Sequence, residues 1–322
     1  MPKQRIFVAM STYNGERFLL EQLQSIAEQS RLPDKLVVID DCSKDSTLKI
    51  LHDFAARASF EVEIVPNSEN IGYIRSFDRA ITLCDCDIIV LADQDDEWYL
   101  AKLEKIEAAF EEDQDLSMVF SDAEIVDEDM RSLGYTRWAV ECFTHKEQTL
   151  VKEGLALKVL LKHITVLNGC TMAFAGREKR RILPVPYSWS HDAWIAMITA
   201  VYGKVGLISE PLVRYRQHSR NVAGTIQKSF AQKQSIARNS RAEFYNAEFK
   251  RYELLLERLS SSEPVAQERL QLIEDKAKHL CVRANLPVCR LKRVTPVFRE
   301  LITLRYMRYS RGMLSCLLDM VG

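Results

Sequence analysis

Through the first 120 residues, short apolar runs rich in β-branched residues alternate with longer stretches in which apolar residues recur every three or four positions. Runs at 6–10, 36–40, 62–65, 88–91 and 117–120 read as strands. The stretch 18–29 places Leu19, Leu20, Leu23, Ile26 and Ala27 on one helical face, and 46–58 does the same with Leu48, Ile50, Leu51, Phe54 and Ala55. Strands and helices in alternation predict an α/β sheet with crossover connections.

Beyond residue 122 the pattern predicts a strand at 166–175, a helix at 192–201 and one or two strands at 205–215. From 227 onward it is helical, with long repeats at 229–259 and 265–284 separated by the turn formers Ser260-Ser261-Ser262-Glu263-Pro264. The expected organisation is an α/β body over 1–222 and a helical region over 223–322, with no internal repeat.

Apolar residues make up 47% of the 322 positions and charged residues 28%, so collagen-like and linker-dominated classes are excluded. The net charge of −1 hides an asymmetry: residues 1–222 carry −9 and residues 223–322 carry +8. Within 276–311 ten basic residues face one acidic residue, Glu300, and apolar positions from Val294 to Leu304 recur at three- and four-residue spacing. This predicts an anionic membrane surface as partner, and no nucleic acid, because the rest of the chain is acidic and shows no recognition motif. No apolar stretch approaches the ~20 residues of a spanning helix, and residues 1–5 run into a strand without a signal-peptide core. The expectation is a cytoplasmic protein, peripheral on the inner face of the membrane. The eight cysteines have no framework spacing, and Cys84 and Cys86 are one residue too close for a CxxC site, so reduced thiols are expected.

In an open α/β sheet, ligands bind at the carboxyl ends of strands, and three polar segments fall there. Ser11-Thr12-Tyr13-Asn14-Gly15 offers small polar groups and one ring to a base or sugar, and is equally a good turn and helix entry. Asp40-Asp41-Cys42-Ser43 offers carboxylates to a nucleobase N–H or a ribose hydroxyl, with a phosphoacceptor aspartate as the rival reading and helix capping as the account of Asp45 or Ser46. Asp93-Gln94-Asp95-Asp96 puts three carboxylates in four residues at the end of a buried strand. Such carboxylates repel unless a cation neutralises them, and oxygen ligands suit Mg²⁺ or Mn²⁺.

Together with Glu69-Asn70-Ile71-Gly72, these motifs resemble family 2 glycosyltransferases in order and spacing, over a stretch that runs through residue 222. The resemblance implies the GT-A fold, a mostly parallel central sheet flanked by helices. It implies that Asp41 holds the nucleobase, that Ser11 and Tyr13 line its pocket, and that the run Asp93, Asp95 and Asp96 meets the ribose and the metal. The family's general base commonly sits in an acidic dipeptide at a helix start. Asp192 of His191-Asp192-Ala193-Trp194 matches it, with histidine in place of glutamate and helix capping as the rival role.

Residues Asn168 to Phe174 and Tyr215 to Val222 resemble the rhamnosyltransferase branch, which builds bacterial surface polysaccharides from dTDP-rhamnose. There His218 is implied to close over the diphosphate as a metal ligand or phosphate donor. Trp98 and Trp189 are expected to stack on acceptor sugar rings, and Trp194 to pack in the core. The implied reaction is inverting, metal-dependent transfer from a nucleotide sugar to a saccharide or lipid-linked saccharide. The alternatives are a UDP-hexose donor, a nucleotidylyltransferase, or a non-catalytic membrane scaffold. The second generally needs a glycine-rich phosphate loop bearing lysine, whereas the 11 glycines here form no GxGxxG or Walker run.

Overall fold

The computed structural model describes residues 3–219 and 241–321. The chain divides into two compact units, residues 1–156 with 165–224 and residues 157–164 with 225–322. The expected boundary at 222, positions 220–222 of the last motif and the expected helix start at 229 lie outside the described residues. The segment 157–164 groups with the second unit, an assignment its place in the sequence does not announce.

In the first unit the strands are β1 (Ile6–Thr12), β2 (Lys35–Asp40), β3 (Glu61–Pro66), β4 (Ile88–Ala92), β5 (Glu97–Trp98), β6 (Leu116–Val126), β7 (Ser132–Thr136), β8 (Met172–Ala175) and β9 (Lys204–Arg216). Helices α1 (Leu19–Ala27), α2 (Thr47–Ala55), α3 (Tyr73–Leu83) and α4 (Lys102–Glu112) connect the early strands. Shorter helices α5 (Arg137–Val140), α6 (His145–Lys152), α7 (Ala156–Leu160) and α8 (Lys179–Ile182) precede α9 (His191–Tyr202). One sheet runs in the order β3-β2-β1-β4-β8-β6-β9-β5, with β7 on β6.

Val8, Met10, Leu36, Val38 and Val90 share a core cluster with Leu23 of α1, Leu51 of α2 and Leu103 of α4. The alternate residues Ala9, Val37, Ile39, Ile89 and Leu91 are also fully buried. Both faces of these strands are therefore covered, which is why they read as unbroken apolar runs. Each of the valine, leucine, isoleucine and methionine side chains contributes about 1.5–3 kcal/mol.

Three regions differ from the sequence reading. The run 117–120 belongs to an eleven-residue strand, because its polar continuation pairs with β9 and β7. Of 166–175 only the last four residues are strand; Asn168 opens a 3₁₀ turn over Gly169–Thr171, reciprocally bonded with Thr171. The segment 205–215 is one thirteen-residue strand whose register slips around Asp122 and Pro211, where proline has no N–H for the ladder.

The sheet is mixed. Strands β3, β2, β1 and β4 are mutually parallel, β8 runs antiparallel to both β4 and β6, and β9 is parallel to β6. The carboxyl ends of β1, β2, β4 and β9 and the amino end of β8 consequently share one edge. The register aligns Thr12 with Asp40 and Met10 with Ala92, so segments 11–15, 40–43 and 93–96 emerge side by side.

The second unit contains α10 (Arg241–Ser260), α11 (Gln267–Ala284), α12 (Arg290–Ile302), α13 (Arg305–Tyr309) and α14 (Met313–Val321). Val297, Tyr306 and Cys316 form a small core. Around it lie a buried ion pair, Arg283 to Asp319 at 2.8 Å, and a buried hydrogen-bond contact, His279 Nδ1 to Glu300 at 2.7 Å. Among the described residues no helix is long and apolar enough to cross a membrane, and all eight cysteines are free thiols.

Candidate active site

A cleft of about 880 Å³ opens at the shared strand edge of the first unit. It brings together Ser11, Tyr13, Asp41, Asp93, Asp95, Asp192 and His218, seven of the residues singled out from sequence.

Loop 11–15 is held by the side chain between the acidic residues. Tyr13 N–H donates to Gln94 Oε1 at 2.9 Å, and Gln94 Nε2 donates to Tyr13 O at 3.1 Å. A Cβ on Gly15 would stand 2.4 Å from Gln94 Oε1, so this clasp requires glycine there. The Tyr13 ring is 46% exposed at the cleft.

Asp40 and Asp41 divide their work. Asp40 is buried, with Oδ1 accepting from Thr12 Oγ1 at 3.0 Å and from Ser43 Oγ at 2.6 Å. It shapes its own turn. Asp41 borders the cleft, and its Oδ1 accepts from Asn67 Nδ2 at 2.7 Å and Ile71 N–H at 2.9 Å, its Oδ2 from Gly72 N–H at 2.9 Å. The Glu69-Asn70-Ile71-Gly72 motif is therefore the seat of this carboxylate and the entry to α3.

The acidic run splits in two. Asp93 and Asp95 face the cleft, and Asp95 Oδ2 lies 2.8 Å from His218 Nε2. Burial and the nearby Asp95 and Asp192 carboxylates push Asp93 up to about 7. Asp96 is fully buried, accepts from Arg216 N–H at 3.1 Å and does not line the cleft. The turn after β4 sets Asp96, expected as a cation ligand, inside the fold rather than in the cleft lining, within 4.8 Å of a ligand atom of Asp93. Asp93, Asp96 and Cys170 place ligand atoms within 4.8 Å of one another. Burial raises the Cys170 thiol and the Asp96 carboxyl well above their ordinary ranges, and a thiol is a poor partner for a hard cation. Asp93, Asp95 and His218 all line the cleft, and carboxylate and imidazole donors of this kind suit a divalent cation such as Mg²⁺ or Mn²⁺.

Two buried cations frame this run, and neither was anticipated from sequence. Arg216 is 1% exposed; its Nε donates to Asp95 O at 2.9 Å, one terminal nitrogen to Glu128 O at 2.6 Å, and the other to the Glu21 carboxylate. It ties the end of β9 to the acidic loop and to α1. Lys102 is fully buried, with Nζ donating to Cys170 O at 2.6 Å and lying 3.6 Å from the Trp98 ring centre. Burial pushes this lysine down to about 7 against the pull of Asp96 and Asp93. Its signal in the sequence is a lysine on the apolar stripe of α4, in line with Leu103, Ile106 and Phe110.

Asp192 borders the cleft in the first turn of α9. Ser190 at the N-cap position makes no side-chain cap bond, and Asp192 Oδ1 accepts from Ala193 N–H at 2.7 Å, so this carboxylate serves the helix start while bordering the cleft. His191 beside it stacks on Phe77 with ring centres 4.0 Å apart and fits against Gly169, where a Cβ would stand 2.7 Å from Nε2. Neither ring nitrogen of His191 has a hydrogen-bond partner among the described residues, and burial lowers its pKa, which keeps the imidazole neutral.

The tryptophans are a correction to the sequence reading. Trp98 and Trp189 are 3% and 4% exposed. Trp98 N–H in β5 donates to Ser25 Oγ, its ring lies against Lys102, and Trp189 packs on the buried Trp194 with centres 5.8 Å apart. Stacking on a sugar needs an open ring face, which neither presents. The open rings at the cleft are Tyr13 and Tyr73, the latter 39% exposed and directly following the Glu69 to Gly72 motif.

The sheet order and the strand-edge cleft define the GT-A fold of nucleotide-diphospho-sugar transferases. Within that class the chain belongs to glycosyl transferase family 2, whose model matches residues 7–174. It is 38% identical over 98 residues to the dTDP-rhamnosyl transferase RfbG of Shigella flexneri, across 29% of this chain and 34% of that one. The chain thus spans about a third of that relative's length. Staphylococcus aureus TarS 1-349, solved in complex with UDP-GlcNAc, superposes with TM-score 0.59 at 16% identity, over 92% of this chain and 80% of that one. The mannosyltransferase PcManGT of Pyrobaculum calidifontis, solved in complex with GDP-Man and Mn²⁺, gives TM-score 0.54 at 15% identity, over 95% and 76%.

Proposed function

We propose that this protein is an inverting glycosyltransferase that moves L-rhamnose from dTDP-rhamnose onto a saccharide hydroxyl of a lipid-linked acceptor, in the synthesis of a bacterial surface polysaccharide. The observation that supports it most is the meeting, in one cleft, of a nucleoside-sized seat, a hard donor set and a carboxylate on a helix start. Asp41, Ser11 and Tyr13 receive the nucleoside at the ends of β1 and β2, with the Tyr13 ring able to lie against the base. Asp93, Asp95 and His218 would hold a divalent cation, Mg²⁺ or Mn²⁺, which when bound neutralises the leaving diphosphate as a Lewis acid.

Asp192 is assigned as the base. It takes the proton of the acceptor hydroxyl while that oxygen bonds to the anomeric carbon, and the bond from this carbon to the diphosphate oxygen breaks on the opposite face. A positioned base of this kind is worth about 10²–10⁴-fold in rate. The neutral His191 next to it offers unpartnered nitrogens to a sugar hydroxyl without adding charge beside Asp192. Tyr73 takes over the acceptor-facing role expected of the tryptophans. The choice of rhamnose rests on the motifs at 168–174, 191–194 and 215–222 and on the likeness to RfbG. A lipid-linked acceptor puts the reaction at the cytoplasmic face of a membrane.

The test is to incubate the purified protein with a panel of nucleotide sugars and follow release of the nucleotide diphosphate with and without Mn²⁺ or Mg²⁺. Metal-dependent release from dTDP-rhamnose in preference to UDP-sugars is expected. Productive use of a UDP-hexose instead would overturn the donor assignment. Release from no nucleotide sugar, acceptor extract included, would overturn the transfer reading.

A further inference from the structure

The last helices of the second unit are arranged inside out. In α14 the buried side carries Ser315, Cys316 and Asp319, while Met313, Leu314, Leu317, Leu318 and Val321 are 42–58% exposed. In α12 the buried residues are Val297 and Glu300, while Leu291, Val294, Phe298 and Ile302 are 48–83% exposed. A helix on a water-facing surface shows the opposite pattern. Twelve of the twenty large apolar side chains exposed among the described residues lie between Val288 and Val321. Single exposed leucines are ordinary, but a patch this dense marks a surface that meets something apolar.

The charges on this stretch indicate what covers it. Both of its carboxylates are internal: Glu300 is engaged by His279 and Arg305, and Asp319 by Arg283 and the Tyr306 hydroxyl. The exposed charged residues from 286 to 321 are Arg290, Lys292, Arg299, Arg308 and Arg311, all cations. None of the five is paired with a carboxylate among the described residues. They sit among the apolar positions, Arg290 and Lys292 flanking Leu291, Arg299 following Phe298 and Arg308 following Met307.

We infer that this surface docks on an anionic lipid bilayer, with the leucine, isoleucine and phenylalanine side chains in the headgroup boundary and the five cations on lipid phosphates. Charge complementarity singles out this occupant. A second copy of the chain would set the same cations against each other in a two-fold contact, and a nucleic acid would leave the apolar stripes uncovered. Helices α12 and α14, of 13 and 9 residues, are too short to span and lie in the plane of the surface. The inference deepens the lipid-linked acceptor reading by naming the surface that would hold enzyme and acceptor on one plane.

Flotation of the full-length protein with phosphatidylglycerol and with phosphatidylcholine vesicles, at low and at high salt, tests it. Recovery with phosphatidylglycerol at low salt, much reduced at high salt and with phosphatidylcholine, is expected. Arg299→Glu and Arg308→Glu should weaken partition about fivefold or more each. Phe298→Asp combined with Leu317→Asp should abolish it, with the melting temperature and diphosphate release from a soluble nucleotide sugar unchanged. These positions are exposed, so the fold tolerates them, and the charge and apolar variants test the surface independently. Equal flotation of the aspartate variant, or equal recovery on both lipids, would overturn the inference. So would a concentration-dependent dimer, without flotation, that the same substitutions abolish. Flotation without diphosphate release would sink the transfer reading alone, and release without flotation would sink the docking alone.

Discussion

His218 Nε2 lies 2.8 Å from Asp95 Oδ2, across 123 residues of sequence. The loop after β9 and the loop after β4 thus meet at one point of the cleft, imidazole against carboxylate.

Asp95→Ala should therefore lower transfer by at least about 10²-fold, and His218→Ala should weaken the apparent Mn²⁺ affinity about 10- to 100-fold. Titrating metal against diphosphate release checks both. Wild-type metal dependence in the His218 variant would remove it from the donor set.

Asp192→Asn keeps the size and the polar oxygen of the side chain but cannot take a proton. Donor affinity measured by calorimetry should stay within about twofold, while kcat falls about 10²–10⁴-fold. A kcat near that of the wild type would leave Asp192 as a residue of the helix start and nothing more.

The third prediction concerns pH. Asp93 is pushed up to about 7 by burial, Asp95 and Asp192. A folded-state pKa above the unfolded one means that the native state holds a proton the unfolded chain has lost. Its contribution to stability is whole below the ordinary value of 3.8 and is lost as pH rises through about 7. The metal-free protein should lose melting temperature between about pH 4 and about pH 7, and Asp93→Asn should flatten that part of the curve. Added Mn²⁺ should raise the melting temperature more at the upper pH, because the ligand is the deprotonated carboxylate. A Mn²⁺ effect independent of pH would contradict the assignment.

Gly15→Ala should cost about 1–3 kcal/mol, because its Cβ would drive the Gln94 amide from both Tyr13 backbone groups. Gln94→Ala removes the same clasp, so the double variant should be no less stable than the worse single one. Denaturant titration of all three proteins would show additive losses if the two positions are independent.

Much of this site is readable in the chain because it depends on local rules. An apolar run that ends in Asp40-Asp41 or in Asp93-Gln94-Asp95-Asp96 is a strand end whatever the rest of the fold does, and the order of the motifs carries the family. The helical period likewise places Asp192 at the start of α9 without any knowledge of what faces it.

What tertiary structure alone decided is direction and partnership. Asp95 and Asp96 are neighbours in sequence, yet one faces the cleft and the other the interior. The bend between β4 and β5 sends the two side chains to different sides, and Asp96 accepts from the Arg216 N–H on the inner one. Trp98 reads as an exposed aromatic beside an acidic loop until β5 pairs with β9 and turns the ring onto the buried Lys102. Arg216 reaches Glu21 across 195 residues, and no local period encodes a contact of that separation. Sequence by itself determines which groups arrive at the strand edge, because propensity and periodicity act over a few residues. Only the packed sheet decides which of them meet, because register and burial are set by partners far along the chain.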